Sequence, residues 1–154
     1  SDRIVVMNKG KVEQIDSPQD VYRKPKTAFV ANFIGRTNFV TGAVQQATAE
    51  QLAVQTLGGV LRVPQPGQPR QPGETATLVV RPDAIRLWDD RREDYFPAVV
   101  RRSTYLGSQV EYEVDVAGQT LIVVESDPRH VVVYPPGAAV GAEILAETVY
   151  VLPG

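Results

Sequence analysis

The chain has 154 residues, of which 43% are hydrophobic and 22% charged, and its formal net charge is −2. That is long enough to bury a core without staples, too apolar for a disordered segment, and too near neutrality for the basic footprint of a nucleic-acid or membrane-surface binder. Cysteine is absent, which excludes disulfides and is compatible with a reducing compartment; the longest apolar runs, such as Ile4-Val5-Val6-Met7 and Leu121-Ile122-Val123-Val124, fall far short of the roughly 20 residues of a membrane-spanning helix.

The first elements are a hairpin and two short helices. Ile4-Val5-Val6-Met7 reads as a strand, Asn8-Lys9-Gly10 as a turn, and Lys11-Val12-Glu13-Gln14-Ile15 as the returning strand. Ser17-Pro18 has the chemistry of an N-cap followed by a first helical position, so a helix is expected to about Arg23, with Pro25 ending it. A second helix is expected over residues 27–34, stopped by Gly35, with Phe29, Val30, Phe33 and Ile34 on one face. A strand so near the start, with no signal-peptide pattern before it, gives the expectation that the chain begins inside a fold.

From Asn38 onward the period is that of strands. Residues 39–44 and 52–57, a turn at Gly58-Gly59, and residues 60–63 come first. Residues 64–73 hold four prolines, which cannot donate to a ladder, and are expected to be an exposed, mobile excursion outside any site. Residues 75–81 and 85–88 bracket Arg81-Pro82-Asp83, and residues 89–94 form a charged loop. A long strand over 96–105 ends at Leu106-Gly107-Ser108. Over 109–116 the alternation is clearest: Val110, Tyr112, Val114 and Val116 point one way, Glu111, Glu113 and Asp115 the other. Ala117-Gly118 turns into a strand over 119–124, and strands over 131–134 and 143–152 complete the set. The fold class is mostly β, with two barrel-like halves on either side of the 89–94 loop.

Enzymatic templates fail. There is no GxxxxGK[ST], GxGxxG or GxSxG, and one His without Cys cannot furnish a transition-metal cluster. No catalytic, cofactor-binding or metal-binding residue is therefore assigned. His130, in Ser126-Asp127-Pro128-Arg129-His130, reads as a loop histidine. Glu111, Glu113 and Asp115 read as the solvated face of an amphipathic strand, with a cation site as the sharper reading. Arg91-Arg92 and Arg101-Arg102 read as surface charges, with an anion patch as the sharper reading; neighbours on a strand point to opposite sides. Trp88 and the tyrosines are too dispersed in sequence for a base-stacking platform.

The order of segments carries a resemblance. Residues 1–15, then Ser17-Pro18, Val21-Tyr22 and Pro25, resemble the tail of an ABC-transporter ATPase domain. Phe29-Val30-Ala31-Asn32-Phe33-Ile34-Gly35 with Asn38 resembles the linker into the C-terminal regulatory domain, and Arg81-Pro82-Asp83 and Tyr105-Leu106-Gly107 resemble markers of that domain, called TOBE and built on OB-type folds. The resemblance implies a C-terminal piece of an importer's ATP-binding subunit, of the polyamine, iron(III) or sugar type. Residues 1–36 would be the end of the ATPase domain and 37–154 the regulatory domain. The parent would use ATP and Mg²⁺, dimerise, and dock on permease subunits at the inner face of the cell membrane. A small regulatory ligand is possible and nucleic acid is not expected. The Walker A, signature, Walker B and switch-histidine segments are missing from this chain, so the piece itself is expected to be non-catalytic. The alternative is a free-standing OB-type module for an oligonucleotide or oligosaccharide. Two further expectations concern the ends of the first unit: the β module folds without residues 1–35, and the hairpin, bare at its apolar edge, pairs with a neighbour's hairpin.

Overall fold

The computed structural model describes residues 2–67, 69–90, 92–126 and 133–153. Strands β1 (Ile4–Asn8) and β2 (Lys11–Asp16) form the expected hairpin. Its two turn residues, Lys9 and Gly10, both have positive φ, as a two-residue type I′ turn requires. The same device recurs at Leu57-Gly58 and Ala117-Gly118, one residue earlier than the expected Gly58-Gly59 turn, because Gly59 already pairs with Thr56 across the hairpin.

Helix α1 (Pro18–Arg23) starts where the Ser17 hydroxyl accepts from the Asp20 N–H, at 3.2 Å. Helix α2 (Ala28–Ile34) starts where Thr27 accepts from Val30 N–H, so Thr27 is the cap and not the first turn. The hairpin folds back on these helices: Val6, Val21 and Val30 make a small core of their own, with Ile4, Phe29 and Ile34 against it. The buried face of α2 differs from expectation. It consists of Val30 and Ala31, while Phe33 is 64% exposed and stacks on Phe29 at 5.8 Å. A seven-residue helix has to serve the hairpin with Val30 and the β module with Ala31, and the phenylalanines are left at the rim.

The remainder is two curled five-stranded antiparallel sheets. The strands are β3 (Asn38–Ala47), β4 (Gln51–Thr56), β5 (Gly59–Pro64), β6 (Thr75–Val80), β7 (Ile85–Trp88), β8 (Phe96–Tyr105), β9 (Val110–Val116), β10 (Gln119–Glu125), β11 (Ala139–Ile144) and β12 (Tyr150–Val151). One sheet runs β12-β6-β3-β4-β5 and the other β10-β9-β8-β11-β7. The expected division at the 89–94 loop is therefore corrected. The chain changes sheet earlier, at a 3₁₀ turn over Pro82–Ala84, so β7 joins the second sheet against β11, and β12 returns to the first sheet against β6. Pro82 has no N–H to continue the ladder. Each half lends the other an edge strand, and both share one core in which Val40, Leu52, Leu78, Ile85, Tyr112 and Leu121 are nearly inaccessible.

The expected strand over 143–152 is also two elements. β11 begins at Ala139, a 3₁₀ turn occupies Ala146–Thr148, and only Tyr150–Val151 is extended after it. Gly141 hides β11 from propensity reasoning. A Cβ there would sit 2.7 Å from the Asp90 carbonyl oxygen and 3.1 Å from the Tyr95 ring, so the strand needs glycine for a close approach. Of the expected strand over 131–134, Val131 and Val132 lie outside the described residues, and Val133 and Tyr134 are not in a strand.

Candidate functional site

Two polar side chains organise the region where the N-terminal lead-in, residues 2–35, meets the β module: one bridges the two and the other orders the lead-in itself. Arg81, 9% exposed, directly follows β6 and reaches back to the helices. Its guanidinium donates to the carbonyls of Tyr22 at 2.9 Å, Ala31 at 3.1 Å and Gly35 at 3.4 Å, and lies 4.6 Å over the Tyr22 ring. Carbonyls near the ends of short helices lack intrahelical donors, and one planar guanidinium satisfies those of both helices. Burial lowers the Arg81 pKa, with Tyr22 and Asp83 acting in the opposite sense. Beside it, Ala31 packs on Val79 and Leu152. The lead-in is thus bonded to the β module across the Gly35 junction.

Gln14, 2% exposed, is the second of these side chains. It donates to the Lys24 carbonyl at 3.1 Å and to Asp16 Oδ2 at 2.8 Å, and accepts from the Lys26 N–H at 2.8 Å. The backbone on both sides of Pro25 is fixed by this one amide.

That geometry forms one wall of a cleft of about 520 Å³. Asp16, Asp20, Lys24 and Lys26 line it from the lead-in; Pro66, Gly67, Arg70 and residues 150–153 line it from the β module. The proline-rich loop therefore contributes to a concave site, which sequence reasoning missed. The loop is exposed, as expected, but it is tied down: Gln65 donates to the Thr48 carbonyl at 2.9 Å, and Arg70 donates to the Leu152 carbonyl at 2.7 Å and the Thr75 carbonyl at 3.2 Å.

The other candidates resolve into paired charges. On the outer face of β9, Glu111 pairs with Arg36, Glu113 with Arg102 at 3.3 Å and Asp115 with Arg101 at 2.8 Å. Arg101 and Arg102 share a face, against expectation, because a bulge in β8 between Val100 and Arg102 inserts an extra residue. Neither the acids nor this arginine pair is left to hold an ion. The Arg101 hydrogen bond holds the Asp115 carboxyl below the usual carboxylate range; desolvation opposes it and the Gly118 N–H adds to it. Arg92 is bonded to Asp90 at 3.1 Å, and Arg91 and His130 lie outside the described residues. The structure does bring Trp88 and Tyr95 together, stacked at 6.3 Å, with the indole N–H donating to Glu143. Among the described residues no group of three His, Asp or Glu is placed to hold a metal ion, and no helix is long and apolar enough to cross a membrane.

Two curled sheets on one core define an OB-like module, and residues 78–152 match the TOBE domain family. The chain carries a TOBE domain in its C-terminal half and is similar over most of its length to import ATP-binding proteins. It is 35% identical over 143 residues, 91% of its length, to the spermidine/putrescine import ATP-binding protein PotA of Rubrobacter xylanophilus, and spans 38% of that protein. It is 36% identical over 125 residues, 81% of its length, to the Fe(3+) ions import ATP-binding protein FbpC of Brucella abortus, and spans 34% of that protein. The chain thus spans well under half the length of these curated relatives. Among solved structures it shares its fold with the cytoplasmic molybdate-binding protein ModG, at 20% identity and a TM-score of 0.54, over 75% of this chain and 96% of that one.

Proposed function

We propose that this chain is the C-terminal regulatory part of the ATP-binding subunit of an ABC importer for a small solute of the polyamine or iron(III) class. In this reading residues 1–36 are the end of the ATPase domain and residues 37–154 the TOBE regulatory domain. The observation that carries it is the similarity to a single import ATP-binding protein over 91% of the chain, a span that has to run through the Gly35 junction and take in both units. The hairpin supports the same reading. Its outer face carries Val5, Met7, Val12 and Ile15, all between 44% and 53% exposed, a composition suited to packing against further strands or helices of an ATPase domain.

The piece acts without chemistry of its own. It has no phosphate loop and, among the described residues, no group of three His, Asp or Glu placed to hold a metal ion, so ATP and Mg²⁺ do not fit this chain and belong to the rest of the subunit. What it offers is a body fixed to the end of the ATPase domain through Arg81. Contacts between two such bodies in a dimer, or a ligand held between lead-in and module, would bias open against closed arrangements of the ATPase domains near the permease subunits. A free-standing oligonucleotide- or oligosaccharide-binding module would leave the apolar hairpin face without a purpose. The test is calorimetry of the 154-residue chain with Mg-ATP alongside the full subunit. The full subunit should bind at micromolar nucleotide and the chain should give no heat at millimolar nucleotide; saturable micromolar binding by the chain alone would overturn the assignment.

A further inference from the structure

We propose that the cleft between lead-in and β module binds a small monoanionic organic acid with an apolar body. The proposal stands on the geometry of the cleft and does not need the transport reading. Its volume of about 520 Å³ lies within the range of small-molecule sites, which combine a mainly apolar wall with a few placed polar groups.

Three cations line it. Lys24 and Lys26 make no ion pair among the described residues, although Asp20 stands one helical turn before Lys24 on the same wall. Their backbone is nevertheless fixed, since Gln14 bonds the Lys24 carbonyl and the Lys26 N–H on either side of Pro25. Arg70 is the third. Its side chain is only 11% exposed, its carboxylate partner Glu74 is 3.9 Å away, and its guanidinium is aimed by the carbonyls of Leu152 and Thr75. A guanidinium has five N–H donors, so two carbonyls and a distant carboxylate leave it capacity for an anion. Against these stand Asp16, whose Oδ2 is taken by Gln14, and Asp20. Of the lining side chains three are positive and two negative, and Glu74, outside the lining, offsets Arg70 only from 3.9 Å; the donors still open to a ligand are those of Lys24, Lys26 and the unspent guanidinium N–H groups, which favours a single negative charge on the ligand over a positive one. Tyr150, Leu152, Pro66 and Pro153 supply an apolar wall that a bare inorganic anion would leave in contact with water.

The experiment uses the 154-residue chain with three probes: 1-naphthoate, 1-naphthylmethylamine and inorganic phosphate, followed by calorimetry and by amide chemical shifts. Naphthoate should bind with a dissociation constant below about 1 mM, the range open to a ligand of this size, and at least tenfold more tightly than either other probe. Its shifts should fall on residues 16–26 and 150–153. The double variant Lys24→Glu/Lys26→Glu should weaken naphthoate at least tenfold while the melting temperature stays unchanged, both side chains being exposed. Tyr150→Ala should weaken naphthoate and leave phosphate unaffected. Equal binding of the amine, equal binding of phosphate, shifts elsewhere on the chain, or an unaltered affinity in the double variant would each overturn the proposal.

Discussion

Two outward sheet faces of this molecule are opposites. On the lead-in hairpin, the cross-strand pairs Val5 with Ile15 and Met7 with Val12 stand in water. On the β8–β9 face, acids at every second position of β9 are each matched by an arginine. Both are antiparallel pairs with one buried side, and the period of two puts their alternate residues outside. The difference is in what the outside is made of. A finished surface spends its exposed positions on solvated, paired charge, whereas exposed apolar cross-strand pairs are the material of an interface. The charged face closes the β module, and the apolar face leaves the lead-in open to something further.

The comparison can be broken first at the shared core. Leu78 in the first sheet and Leu121 in the second are both inaccessible. Truncating either to Ala should cost about 2–5 kcal/mol, and each variant should melt in a single transition by far- and near-ultraviolet dichroism. Two separated transitions would mean that the halves are independent domains. Next in size is Arg81→Met, which leaves the carbonyls of Tyr22, Ala31 and Gly35 without their donor and should cost about 2–3 kcal/mol in urea unfolding. Arg81→Lys should not restore it, because an ammonium cannot span three carbonyls in a plane.

The charged face should matter less. Arg102→Ala should cost no more than about 1 kcal/mol, and the loss should shrink in high salt. Asp115 gives this face a pH dependence. Its folded-state pKa is lowered, so its stabilising contribution is present above the unfolded-state value and is lost as pH falls through the folded one. Carbon-detected titration of that carboxyl, with and without Arg101→Ala, should show its midpoint rise in the variant. Smallest of all is the apolar hairpin face. Val5→Thr with Met7→Gln should change the stability of this chain by no more than about 0.5 kcal/mol, while weakening any self-association in ultracentrifugation; on the proposed function, the same pair of changes in the full subunit should destabilise its ATPase domain.

Much of the architecture is legible in local chemistry. Ser17-Pro18 and the turns at Lys9-Gly10 and Ala117-Gly118 announce a helix start and two hairpins through capping and turn chemistry alone, and the alternation of β9 assigns its two faces correctly. What escaped the sequence is non-local. The exchange of β7 and β12 between sheets depends on pairing that no single segment encodes, and the bulge that aligns Arg101 with Arg102 exists only against β9. Gly141 disguises a strand because its role is set by the Asp90 backbone across from it. Arg81 was recognisable as part of a marker, Arg81-Pro82-Asp83, but its partners lie 46 to 59 residues away. Only the buried state of an arginine, invisible in sequence, reveals what it holds.

That arginine is the point on which the proposed function turns, since in that reading the module acts on an ATPase domain through the connection Arg81 fixes. Amide hydrogen exchange resolved along the chain, in the native protein and in Arg81→Met, tests it most directly. In the native protein the amides of Val21 and Ala31, both bonded within their helices, should be protected as part of one unit with the β module. In the variant their exchange should accelerate at least tenfold while β6, β8 and β9 keep their protection. Equal exchange of the lead-in in both proteins would contradict the account, showing that the helices hold together without the β module.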